Sequence, residues 1–138
     1  MAPAAPQKQT AADASAKSEG CVTCHTATDH ASMHANPAVV LGCTDCHGGD
    51  ARVRAPAGAS SASRHEPGYE RALAAAHVLP RFPRAWSYPS SANPRASYTL
   101  LNRERPEFIR FMNPGDYRVV REACGACHLP IIQASERS

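Results

Sequence analysis

The sequence predicts a small, mainly α-helical chain with extensive irregular loops and little or no β-sheet, on three observations. A Cys-x-x-Cys-His pattern occurs three times and uses all six cysteines: Cys21-Val22-Thr23-Cys24-His25, Cys43-Thr44-Asp45-Cys46-His47 and Cys124-Gly125-Ala126-Cys127-His128. Twelve prolines and eight glycines break the 138 residues into short pieces. The best periodic stretch, residues 66–79, puts Tyr69, Leu73, Ala76 and His77 roughly on one helical face.

The thrice-repeated pattern is the attachment signature of c-type haem. Two thiols three positions apart reach the two vinyl groups of one porphyrin and form thioethers. The histidine that follows turns its ring to the iron as fifth ligand. Three covalently attached haem c groups are therefore expected, on Cys21, Cys24 and His25, on Cys43, Cys46 and His47, and on Cys124, Cys127 and His128. The fold is then haem-cored. Much of the 43% apolar content is alanine, and three haems among 138 residues leave 46 residues each. Porphyrin must supply most of the buried apolar surface, and the apo chain should be largely unfolded.

Two rival chemistries compete with this reading. Cys21, Cys24, Cys43 and Cys46 have zinc-ribbon spacing, but the third pair would have no partner pair, and a four-thiolate site gives no reason for a histidine after each pair. A thioredoxin-like redox pair needs strand–helix–strand alternation around it, which is missing here.

The formal charge is +3, and each ferric haem adds roughly one negative charge once both propionates ionise. The arginines read first as propionate and surface partners. The basic residues form no dense run, so no nucleic-acid partner is expected. No apolar stretch is long enough to span a membrane. No positively charged start leads into an apolar run either, although covalent haem attachment takes place outside the cytoplasmic membrane. A periplasmic or extracellular location, reached through a signal not in this chain, is the expectation.

In chain order, residues 1–20 read as a flexible lead, with at most an amphipathic helix over residues 7–17. Residues 21–138 form the trihaem domain. Within it, residues 21–50 are a two-haem module, 51–123 a connecting and wrapping segment, and 124–138 the third motif. A helical turn over residues 28–34 puts His30 and His34 on one face until Asn36-Pro37 ends it. Gly48-Gly49 stops the helix of the second motif. Residues 51–63 are loop, and residues 66–79 a helix with Pro67 near its start. Residues 80–94 hold four prolines among Phe82, Trp86 and Tyr88, an extended wrap over haem faces. A short helix over residues 96–105 precedes one opened by Pro106 and ended by Asn113-Pro114-Gly115. Asp116 caps a helix over residues 117–123 that leads into the third motif.

Four histidines lie outside the motifs, His30, His34, His65 and His77, against three irons that each need a sixth ligand. His77 comes first, at the end of a good helix and before apolar Val78 and Leu79. His34, fixed by Asn36-Pro37, follows, then His65 and His30. Met112 is an alternative thioether ligand, although methionine in an apolar helix is more often core. These residues leave open which histidine serves which iron.

The three motifs and spare histidines resemble the multihaem c-type cytochromes of bacterial respiration. Met33-His34-Ala35-Asn36-Pro37 running on to Cys46-His47-Gly48-Gly49 is similar to the opening haem pair of large members. His77-Val78-Leu79-Pro80, Ser91-Ala92-Asn93-Pro94 and residues 106–116 are similar to segments that follow that pair. The resemblance covers about residue 21 to the end. It implies fifth ligands at His25, His47 and His128 and distal ligation by His34 and His77. The chain stops just past its third motif, where large relatives carry further haems. Both a short stand-alone member and an N-terminal piece of a longer protein stay open.

The expectation is an electron carrier, not an enzyme, passing electrons between redox protein partners through closely spaced bis-histidine haems. Its competitors are a reductase with one five-coordinate haem, and a haem domain or subunit of a larger oxidoreductase or cytochrome filament. No serine-histidine-acid set, phosphate-binding glycine loop or paired-carboxylate site stands out.

Overall fold

The computed structural model describes residues 1–26, 33–87 and 93–138. The architecture is helical with irregular connections, as the sequence predicts. Among the described residues there are five α-helices: α1 (Ala11–Ala16), α2 (Cys43–His47), α3 (Pro67–Ala76), α4 (Pro106–Met112) and α5 (Val120–Ser135). Short 3-10 turns cover Cys21–Thr23, Ser61–His65, Pro83–Ala85 and Tyr98–Asn102. Among the described residues there is no strand, only a single antiparallel bridge between Trp86 and Pro94. No described helix is long and apolar enough to cross a membrane.

Local chemistry sets the helix ends. Thr10 and Asp13 form a reciprocal capping box on α1. Proline occupies the first turn of both α3 and α4, where a missing N–H costs nothing. Gly48 (φ 71°) and Gly49 (φ 81°) end α2 in the left-handed region. A Cβ on Gly49 would lie 2.7 Å from the Ala76 carbonyl oxygen and 3.1 Å from the Phe111 ring. Only glycine fits where α2, α3 and α4 meet.

Three elements differ from expectation. The helix expected over residues 66–79 stops at Ala76, and His77 is its extended cap (ψ 154°), on the run into Pro80. The helix leading into the third motif starts at Val120 and continues through the motif to Ser135, past Pro130. Pro130 has no N–H for the Ala126 carbonyl one turn earlier. The Gln7 side-chain amide donates to that carbonyl instead, which makes the interior proline tolerable. The lead expected to be flexible accordingly carries a capped helix and bonds into the second motif. The turn expected over residues 28–34 lies mostly outside the described residues, as do Tyr88 and the rest of residues 88–92.

A small apolar core forms where Trp86, Phe108, Ile109, Val119 and Ala123 are buried. The Trp86 and Phe108 rings meet edge-on at 4.8 Å. The Trp86 indole N–H donates to Glu104 Oε2 at 2.9 Å. Glu104 also accepts main-chain N–H groups of Arg81, Phe82 and Arg105, so this buried carboxylate is satisfied. Burial raises the Glu104 carboxyl, but these four donors outweigh it and hold it below the usual carboxylate range. Met112 faces a 310 Å³ cavity beside this core, lined also by Trp86, Tyr98 and Phe108.

Candidate functional site

The second motif is α2 itself, and it sits at the centre. It packs against α4 and α5, and α5 carries the third motif in its middle. The first motif is a 3-10 turn whose Cys24 N–H returns to the Cys21 carbonyl. Cys21 and Cys43 lie within hydrogen-bonding reach of one another, which pushes the Cys21 thiol up and the Cys43 thiol down. Burial pushes Cys46 up, and the nearby Cys124 adds to this. The motifs thus form a row, with Cys21 beside Cys43 and Cys124 in the neighbourhood of Cys46. None of the six cysteines is in a disulfide. No three His, Cys, Asp or Glu side chains among the described residues gather around a point that could hold a bare metal ion.

Among the described residues, two of the motif histidines face histidines from outside the motifs. The His25 and His77 ring centroids are 6.2 Å apart with planes 33° from parallel. Those of His34 and His128 are 5.9 Å apart at 20°. Such spacing has a simple chemical meaning. A metal–imidazole bond is about 2 Å and the ring centre lies about 1.1 Å behind the nitrogen, so two imidazoles sharing one ion have centres about 6 Å apart. Burial, followed by the neighbouring His25, pushes the His77 imidazole down to about 4, so its ring is neutral at pH 7, the state a ligand needs.

His47 is held differently. Its Nδ1 lies 2.6 Å from the Phe111 carbonyl oxygen, and its ring meets the Phe111 ring edge-on at 6.3 Å. The other face of Phe111's surroundings is His77, 4.8 Å away at 48°. Phe111 therefore stands between a histidine of the first pair and the histidine of the second motif. His65 is exposed at the end of the Ser61–His65 turn, and among the described residues it makes no ring contact with a motif histidine. His30 lies outside the described residues.

The second motif is braced by charge. Asp45, 5% exposed, accepts from Lys17 Nζ (2.7 Å), Gly42 N (2.8 Å) and Gln9 Nε2 (2.6 Å). Arg110 of α4 reaches the other side of α2 through main-chain carbonyls. Sequence reasoning missed Asp45, Lys17, Phe111 and Arg110. Lys17, Phe111 and Arg110 have no spacing that ties them to a motif, and only the fold brings them there; Asp45 stands inside the second motif, but its bonds to Lys17 and Gln9 are not written in the spacing.

Comparison with protein-family models, curated proteins and solved structures finds no match to this chain.

Proposed function

We propose that the chain is a trihaem c-type cytochrome of the periplasm or extracellular space, which passes electrons between redox protein partners. The observation that carries this reading is the pair of imidazole couples, His25 with His77 and His34 with His128, each spaced for one shared iron. Apolar side chains left exposed beside the motifs support it, among them Val22, Met33, Leu79 and Leu129. Haem cover gives that surface a reason.

Haem iron, when bound, supplies one-electron chemistry. The chain's own residues do the rest. Each cysteine pair would tether a porphyrin. His25, His47 and His128 would hold the irons, joined by His77 at the first site and His34 at the third. The Phe111 carbonyl accepts a hydrogen bond from His47 Nδ1–H, which would leave Nε2 to hold the iron. The row of motifs would hold neighbouring porphyrins close, which electron transfer between them requires.

A second reading, a haem domain or subunit of a larger multihaem oxidoreductase or cytochrome filament, is favoured by the apolar side chain of Ile131, 66% exposed on α5. Spectra of oxidised and dithionite-reduced holoprotein, with carbon monoxide then added, test the proposal. A low-spin c-type spectrum in which His25 and His128 haems ignore carbon monoxide agrees with it. Carbon monoxide binding at all three haems would overturn the assigned couples.

A further inference from the structure

Arg110 is the most deeply buried cation among the described residues, 1% exposed on the inner face of α4. Its guanidinium donates from Nε to the Cys46 carbonyl (3.0 Å) and from Nη2 to the carbonyls of Asp45 (2.8 Å) and Pro3 (2.7 Å). Nη1 donates to the Ala2 carbonyl at 2.6 Å. Two of these four acceptors belong to the second motif, one of them immediately before His47.

Every acceptor is neutral. The Asp45 carboxylate is turned away to Lys17, Gly42 and Gln9. Glu107, one turn earlier on α4, lies with Arg110 along a 130 Å³ cavity that reaches His47, but its carboxylate faces the Met1 amine at 3.7 Å. Carbonyl dipoles stabilise a guanidinium without cancelling its charge. Four of its five N–H groups are committed to them, so no fork is left for a two-point pair with a porphyrin propionate. A buried charge without a counter-charge is costly. A neutral amide has two N–H groups and could serve only two of these four carbonyls, so the guanidinium acts here both as a clamp and as a buried charge beside the second motif.

We propose that Arg110 is the fixed positive charge that raises the reduction potential of the haem tethered at Cys43 and Cys46. The inference rests on the trihaem reading. Adding an electron to an iron beside a buried cation is favoured, because the attraction is little screened in the protein interior.

Redox titration of the trihaem protein tests it. Arg110→Gln removes the charge and should lower one of the three one-electron steps by at least tenfold in its equilibrium constant, which is 59 mV. Arg110→Lys keeps the charge with a different donor geometry and should leave that step within threefold of the wild type. Ala2→Asp adds a carboxylate next to a carbonyl that Arg110 uses, with the guanidinium in place, and should lower the same step. Lysine and glutamine variants falling equally would mean that the clamp matters and not the charge, and would overturn the proposal. So would unchanged potentials in Arg110→Gln and Ala2→Asp, or an equal fall in all three steps. Should Arg110→Gln fail to take up three haems, Ala2→Asp decides. A wild-type chain without haem would instead remove the trihaem reading itself.

Discussion

His47 Nδ1 and the main-chain oxygen of Phe111 sit 2.6 Å apart although 64 positions separate them. With this bond α4 fixes the ring orientation of the second motif, and its geometry requires the proton on Nδ1. In reduced, 15N-labelled holoprotein the His47 Nδ1–H should therefore give a slowly exchanging, hydrogen-bonded proton signal. A proton on Nε2 would contradict the ligand role given to that nitrogen. Phe111→Leu keeps the carbonyl and should preserve this signal, while loss of the ring packed on His77 lowers stability by about 1–2 kcal/mol.

His77 and His34 should be separable from His65 by spectroscopy. His77→Ala should convert one haem in three to a high-spin form that binds carbon monoxide, and His34→Ala should do so for a different haem. The double variant should open two. His65→Ala should leave the spectrum as it is, since His65 is exposed and, among the described residues, makes no ring contact with a motif histidine.

Asp45 should make the fold acid-sensitive. Burial raises its carboxyl, but the bonds from Lys17, the Gly42 N–H and Gln9 outweigh burial and hold it below its ordinary 3.8. The unfolded chain takes up this proton before the folded one does, so the contribution is whole above 3.8 and is lost as pH falls through the lower, folded value. Asp45→Asn should cost about 2 kcal/mol at neutral pH in chemical denaturation. From about pH 5 to about pH 2 the variant should then lose less stability than the wild type, the reverse of what an unpaired Asp45 would give.

Gly49 and Gly58 share a left-handed backbone, φ 81° and 74°, but not their surroundings. A Cβ at Gly58 meets nothing within 4 Å, so Gly58→Ala should cost about 1 kcal/mol of backbone strain. At Gly49 the Ala76 oxygen stands 2.7 Å from the new carbon, and Gly49→Ala should cost about 3 kcal/mol. Denaturant midpoints of the two holoproteins compare them directly, and equal losses would mean that α2 and α3 can part at this point.

Punctuation made much of the fold legible. Pro67 and Pro106 announce the starts of α3 and α4, Asn113-Pro114-Gly115 the end of α4, and Gly48-Gly49 the end of α2. Each acts through its own backbone preference, which sequence reports directly. The run of α5 through Pro130 was hidden, because an interior proline reads as a stop unless a distant residue serves the carbonyl left behind. Here that residue is Gln7. The same contact explains why residues 1–20 are not the loose lead their composition suggests. In the site, the motif residues are explicit and the spare histidines countable, but their pairing depends on how α3 and α5 approach the motifs. Arg110 looks like any of the chain's arginines until burial singles it out.

Covalent haem is the central claim, and the intact mass of the protein tests it most directly. After expression with a working haem-attachment system and extraction with acidified acetone, the chain should carry three haem increments above its own 14.7 kDa. A mass equal to the bare chain, with zinc in place of haem absorbance, would contradict the account.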